Sequence, residues 1–239
     1  IPVGLHHQFS DPGIGGGIKL LHTFMTFAVF FPSLLTYFNV SASIETAARL
    51  HGGTGWVKWV RNLPWGNPAF TGQVMGMFLF VPGGISGLTN ASYNVNQAIH
   101  NTTWVVGHFH LTVGGAVTLT FMATTYWLIP YLTGRALWGR RLAVAQPIIF
   151  FVGMAMWSET MHRLGLESIP RRTYLSQAPW FENEWGLNRI LLLIGGPTMF
   201  VAGVLYFVII IMTLVASREP ARVEVPLARP GEEGSHEQV

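Results

Sequence analysis

The stretch IHNTTWVVGHFHLTVGGAVTLTFMATTYWLIP, from Ile99 to Pro130, decides the fold class of this chain. It carries no Asp, Glu, Lys or Arg, and it exceeds the roughly 20 residues of helix that cross the hydrocarbon core of a bilayer. It also contains His108 and His110, one residue apart. Ionisable side chains inside a membrane span are costly and usually functional. The stretch therefore predicts a membrane helix that carries chemistry.

The composition extends this prediction to the whole chain. Only 10% of the residues are charged, against about 25% in a typical soluble domain. We predict an all-α integral membrane protein, a transmembrane helix bundle with about five spans over residues 1–217. A polar, Pro-rich segment over 218–239 is expected to be a disordered cytoplasmic tail. The predicted spans are 19–44, 73–95, 103–131, 142–166 and 190–216.

The basic residues predict an orientation, and they give no indication of nucleic-acid binding. Nine of the 14 Lys and Arg residues fall on one side of the predicted spans and five on the other. The richer side is expected to be cytoplasmic, which places the C-terminal tail inside and the N-terminus outside. The chain has no cysteine, so thiolate sites are excluded and histidines are its strong nitrogen ligands.

His108 and His110 point in different directions from a regular helix. Residues i and i+2 lie about 200° apart around the axis, so the pair cannot bind one metal from one face. They could serve two centres on opposite sides of the helix. The alternative is two histidines packed against neighbouring helices.

Weaker motifs surround this one. The adjacent His6 and His7 could share a metal only outside regular helix, and the following Asp11-Pro12-Gly13 is a helix stop and turn signal. The alternative is an ordinary loop. The first residues read as the end of an apolar segment, so we expect a fragment, a processed chain or one piece of a split polypeptide.

Two further pairs of polar residues lie within or next to the predicted spans. Ser33 and Thr36 share one face of a proline-bent helix and could form a proton path, although such hydroxyls commonly bond to their own helix carbonyls. Arg171 and Arg172 suit anionic groups such as heme propionates, or equally lipid headgroups.

Taken together, HHQFSDPG, FFPSLLT, IHNTTWVVGHFH and IPRRTY resemble subunit I of the heme–copper oxidases, most closely its B-type branch. The motifs agree in order and approximate spacing along nearly the whole chain. The resemblance implies an oxidoreductase of a bacterial or archaeal cytoplasmic membrane, with copper and two hemes, one low-spin and one high-spin. It implies reduction of dioxygen to water with electrons from a cytochrome c-type donor, coupled to proton translocation.

The resemblance also assigns roles by position. It implies that His6 and His7 ligate copper and that His108 is the axial ligand of the high-spin heme. It implies that His110 is one axial ligand of the low-spin heme, with Phe109 between the two. The remaining implied roles are propionate binding by His100, Arg171 and Arg172, and a cytoplasmic proton path through Ser33 and Thr36.

The chain departs from the family pattern in three ways. Subunit I has about a dozen helices, so five spans would be the C-terminal half of a larger bundle. The missing N-terminal half, in the same or a separate chain, would carry the third copper histidine, its cross-linked tyrosine and the second low-spin heme ligand. His100-Asn101 stands where A-type relatives have a magnesium-binding His-Asp pair, and Asn96 lacks the acidic side chain expected near the propionates.

The implied partners are that N-terminal half, a copper-containing subunit II, the electron donor and membrane lipid. Two other functions stay open at this stage. A nitric oxide reductase of the same superfamily would have iron and nearby glutamates in place of copper. A non-catalytic membrane subunit would keep the histidines for structure alone.

Overall fold

The helices of the chain account for nearly all its regular structure. The computed structural model describes residues 4–172 and 186–221. Within them the α-helices are α1 (Gly16–Leu50), α2 (Pro68–Ala91), α3 (Tyr93–Ile99), α4 (Thr103–Phe109), α5 (Thr118–Thr133), α6 (Arg140–Leu166) and α7 (Gly186–Val215). A π-helix, His110–Val117, joins α4 to α5, and short 3-10 helices cover Gly4–Gln8 and Lys58–Asn62. These described residues contain two isolated β-bridges and no strand.

Among the described residues, five helical segments are long and apolar enough to cross a membrane. They are α1, α2, the continuous segment Thr103–Thr133, α6 and α7. The prediction of an all-α membrane bundle with five spans is therefore confirmed. The predicted tail falls mostly on residues 222–239, which lie outside the described residues.

Several helix boundaries differ from the predicted ones by a few residues, and two of the differences have a visible local cause. α1 continues to Leu50 instead of ending near 44, and Glu45 and Arg49 form an i,i+4 ion pair at 2.6 Å on this added turn. α2 ends at Ala91 instead of continuing to 95, because Ser92 adopts an extended backbone conformation (φ −70°, ψ 105°). The chain then restarts as the separate short helix α3.

The core lies where α2, the π-helix, α5, α6 and α7 meet. Its buried apolar side chains are Leu79, Leu111, Ala116, Leu119, Phe150, Met154 and Ala202. Glycines bring α6 and α7 close together, since a Cβ built at Gly153 would lie 2.9 Å from the backbone nitrogen of Met199. Small residues at helix contacts are typical of membrane bundles, where lipid tails provide no hydrophobic drive for association.

A buried amide ties three helices together inside the membrane segment. Gln146 of α6 is fully buried and accepts a hydrogen bond from the Tyr126 hydroxyl of α5 at 3.0 Å. Its amide nitrogen donates to the carbonyl of Ala202 in α7 at 3.2 Å. Because lipid offers no polar partner, such bonds must be made within the protein.

Gly165 provides a test of the packing between α6 and α4. A methyl group there would overlap the backbone of Trp104, which cannot move aside as a flexible side chain would. We expect Gly165→Ala to destabilise the protein by at least about 1–3 kcal/mol, as overpacking does. The measurement is the thermal midpoint of the detergent-solubilised protein. Gly203→Ala is the matched control, because a Cβ on that helical glycine meets nothing within 4 Å; equal midpoints for both variants would contradict the packing argument.

Candidate metal centre

The 3-10 helix at the start of the described chain presents His6 and His7 toward the bundle. Phe9 anchors it, being fully buried with its ring 5.7 Å from that of Tyr93. The Asn96 amide donates to the His6 carbonyl at 2.9 Å and to the Asn90 carbonyl at 2.7 Å. A carboxylate could not donate either bond, so the departure from an acidic residue at position 96 suits a structural clamp.

Three imidazoles converge at the centre of this site. His6, His7 and His108 each offer one ring nitrogen, and these nitrogens lie within 4.8 Å of one another. The ring of His108 is centred 5.2 Å from that of His7 and 6.2 Å from that of His6. No carboxylate belongs to this cluster among residues 4–172 and 186–221. A neutral nitrogen-only donor set of this kind suits copper, iron or zinc.

The protonation of His6 is fixed by a threonine. The Thr26 hydroxyl donates to the His22 carbonyl at 2.7 Å, so its oxygen accepts from His6 Nδ1 at 3.1 Å. With the proton on Nδ1, the lone pair of Nε2 is available to a metal. Burial, together with the neighbouring His6 and His108, lowers the pKa of His7 from its ordinary 6.5 to about 3. His7 is therefore neutral at pH 7, as metal ligation requires.

His108 is held against α2 by hydrogen bonds to its ring nitrogen Nδ1. Its Nδ1 lies 3.0 Å from the Gly83 carbonyl oxygen, which can only accept, so Nδ1 carries the proton and the lone pair of Nε2 is available to a metal. Nδ1 is also 2.9 Å from the Ser86 hydroxyl. Gly87 allows the ring to lie flush with α2, because a Cβ there would approach His108 Cε1 to 3.1 Å.

His110 lies on the other side of the helix, toward α6. Its Nδ1 donates to the carbonyl of Val106 at 2.8 Å, and its ring centre is 6.1 Å from that of Trp157. The two histidines of the opening motif thus contact different neighbours, α2 and the 3-10 helix in one case and α6 in the other. The π-helix that begins at His110 was not predicted; π-helical turns are rare and concentrate at functional sites.

The predicted propionate-binding residues gather at the N-terminal end of α4. The buried side chain of His100 places Nε2 3.5 Å from the Asp11 carboxylate. The backbone nitrogen of Arg171 donates to the Asn101 carbonyl at 2.8 Å, which ties the arginine segment beside His100. Arg171 is half-buried there, whereas Arg172 is exposed.

The predicted proton-path hydroxyls lie in different surroundings on α1. Ser33 donates to Val29 O and Thr36 to Pro32 O, both at 2.9 Å, which is the self-bonded alternative noted from the sequence. Ser33 lines a mostly apolar cavity of about 280 Å³ that also reaches His6. Thr36 lies on the exposed side of α1.

Sequence reasoning did not find that three residues support the histidines, namely Thr26, Ser86 and Asn96. Each is a small polar residue whose partner is distant in sequence, and motif spacing does not show such contacts. One signal was available for Ser86, which lies in PGGISG, because a run of small residues indicates close approach of another element.

Thr26 provides a graded test of the site. We expect Thr26→Val to weaken metal binding at His6 by about 10–100-fold, the usual cost of losing a partner on a ligand's second nitrogen. Thr26→Ser keeps the hydroxyl and should retain most of the affinity. The measurement is metal content after dialysis against a graded chelator series. Equal metal retention in both variants would contradict the role given to the hydroxyl.

These features define a class: a helical membrane protein that presents histidines from one span to two sides, with a three-imidazole cluster on one of them. The family model described as Cytochrome C and Quinol oxidase polypeptide I matches residues 1–196. The chain belongs to this family.

Individual relatives agree with the family match. Cytochrome c oxidase subunit 1 of Thermus thermophilus is 44% identical over 230 residues, which are 95% of this chain and 41% of that protein. The protein of that name from Thermostichus vulcanus is 30% identical over 75% of this chain and 29% of its own length. A cryo-EM structure of a heme-copper terminal oxidase dimer superposes with a TM-score of 0.82 at 38% identity, over 94% of this chain and 42% of that one. The chain therefore spans less than half the length of these relatives.

Proposed function

We propose that this chain forms the C-terminal half of the catalytic subunit of a terminal oxidase that reduces dioxygen to water. One observation carries the proposal: the nitrogens of His6, His7 and His108 lie within 4.8 Å of one another beside a membrane span. Nothing in a structural role requires three imidazoles to converge, and buried polar groups without such a purpose are costly.

The side chains offer the imidazole donors that a copper ion and two heme irons take. His6 and His7 would hold the copper, His108 the high-spin heme iron that faces it, and His110 the low-spin heme iron on the side of α6. The tautomers support this, since the Nδ1 bonds of His6, His108 and His110 all leave Nε2 as the donor. The bound metals would supply the redox chemistry, with potentials set by these ligands and their burial.

Other side chains would bind the heme propionates on one side of the metal centre and conduct protons to it on the other. Arg171 and His100, beside the start of α4, would bind heme propionates, together with Arg172. Protons would enter from the cytoplasm along α1, where Ser33 lines the cavity that reaches His6; Thr36 would lie further along that route. Electrons would come from a cytochrome c-type donor, and the reduction would be coupled to proton translocation.

A second polypeptide segment would complete the site. Two imidazoles leave a copper under-ligated, and one axial histidine leaves a low-spin heme iron under-ligated. α1 has only His22, Thr26 and Ala48 buried, so most of its apolar surface is open to a neighbour. We propose that the N-terminal half of subunit I, in the same or a separate chain, packs there and supplies the missing ligands, and that a copper-containing subunit II joins the assembly.

The proposal includes a location and a domain arrangement. Residues 1–217 would lie in a bacterial or archaeal cytoplasmic membrane, and residues 218–239 would form a cytoplasmic tail. The support is the excess of Lys and Arg on that side. Protease protection of right-side-out and inverted vesicles, read with a C-terminal epitope, tests the orientation.

Metal and heme analysis of the purified complex tests the function. The proposal requires two hemes and one active-site copper, together with dioxygen consumption by the reduced complex. Iron in place of copper, with glutamates from another chain nearby, would instead identify a nitric oxide reductase. Absence of heme would identify a non-catalytic membrane subunit.

A further inference from the structure

We infer that Ser86 is a positioning residue for His108, and that its hydroxyl sets how strongly His108 Nε2 donates to an iron. The inference rests on the proposed function, because it takes His108 as the axial ligand of the high-spin heme. It concerns a contact on the far side of the imidazole from the metal.

Three polar atoms form a closed set behind the ring. Ser86 Oγ lies 2.8 Å from Gly83 O and 2.9 Å from His108 Nδ1, and Nδ1 lies 3.0 Å from Gly83 O. The carbonyl can only accept, so the Ser86 hydroxyl gives its one hydrogen to Gly83 O. The lone pairs of Oγ then face Nδ1–H, which is shared between two acceptors, and Ser86 Oγ is the nearer of them.

Burial makes this arrangement hard to replace. Ser86 and His108 are only 5% and 6% exposed, so solvent cannot readily take the place of a missing hydroxyl. The ring also has little freedom to turn toward another acceptor, since Gly87 Cα lies against its Cε1 edge closely enough that a Cβ would approach to 3.1 Å. Loss of the hydroxyl therefore reduces the total hydrogen bonding to Nδ1–H.

The consequence reaches the metal through the imidazole. Acceptors on the outer N–H make a ligating histidine more basic, and hence a stronger donor. Without Ser86 Oγ, Nδ1–H has only Gly83 O, and Nε2 donates less charge. The iron–histidine bond weakens. The ferric state loses more stabilisation than the ferrous state does, so the midpoint potential of the high-spin heme rises.

The test uses the complete purified oxidase with Ser86→Ala, Ser86→Cys and Ser86→Thr. Resonance Raman spectra of the reduced enzyme report the iron–histidine stretching frequency, and a redox titration reports the midpoint potential. We expect Ser86→Ala to lower the frequency, raise the potential and weaken retention of the high-spin heme about tenfold. Ser86→Thr should restore the original values. Ser86→Cys has nearly the original size but bonds weakly, so it carries the test if the alanine variant fails to assemble.

Thr112→Val is the matched control, because the Thr112 hydroxyl donates to the backbone carbonyl of the same histidine, at 3.0 Å, and not to its ring. An unchanged band in Ser86→Ala and Ser86→Cys, or an equal shift in Thr112→Val, would overturn the inference. Absence of the iron–histidine band from the unsubstituted enzyme would overturn the proposed function instead, so the two failures are distinct.

Discussion

Replacement of His110 by alanine is expected to remove the low-spin heme and leave the high-spin heme in place. His110 and His108 lie on different sides of one span, so losing one imidazole does not disturb the contacts of the other with Gly83 and Ser86. Alanine removes the imidazole that this chain presents toward Trp157. Removing the hydrogen-bond partner of a metal ligand typically lowers metal affinity or activity by about 10–100-fold. Removing the ligand itself should therefore reduce electron transfer to oxygen by more than about 100-fold.

Optical spectra of the reduced protein, with a heme count by pyridine hemochromogen, measure this result. His51→Ala is a closely matched control. His51 bonds its Nδ1 to the carbonyl four residues earlier, at 2.9 Å, just as His110 does at 2.8 Å, but it caps the far end of α1. The control should keep both hemes. Two hemes in His110→Ala would show that His110 binds no iron.

The sequence predicted the bundle well because the signal for a membrane span is local. A charge-free run of sufficient length has few alternatives in lipid, so the five spans were correctly found from the sequence alone. The boundaries were harder, because they depend on single residues. Ser92 ends α2 through its backbone conformation, and the Glu45–Arg49 pair extends α1, although neither feature breaks the hydropathy pattern.

The site was predicted less completely because its support is non-local. The spacing of His108 and His110 required two faces for any regular helix, and the structure places them on two sides. Regular spacing could not predict the π-helix that begins at His110. The partners Thr26 and Ser86 are each about twenty residues from the histidine they contact, so only the folded chain brings them together.

Replacement of His7 by alanine is expected to abolish copper binding while both hemes remain. His7 contributes one of the two copper ligands that this chain would offer, and a copper with one imidazole from this side is held too weakly to survive purification. The proposed iron ligands are on the Thr103–Thr133 segment, and their bonds to Gly83, Ser86 and Val106 do not involve His7. Copper content should fall from about one per complex to near zero, and dioxygen reduction should fall by more than about 100-fold, by the same reasoning as for His110.

Elemental analysis and dioxygen uptake measure the two effects on one preparation, and two comparisons separate ligand loss from misfolding. His162→Phe replaces a buried imidazole that packs on Trp104 with a ring distance of 4.5 Å and is not in the cluster, so it should keep its copper. Added imidazole should partly restore copper to His7→Ala, because the substitution leaves a space of that shape beside His6, whose ring was centred 4.0 Å away. Full copper content in His7→Ala would show that the ion is held elsewhere. Equal copper loss in His162→Phe, without rescue of His7→Ala by imidazole, would show that the loss results from damage to the fold and not from loss of a ligand.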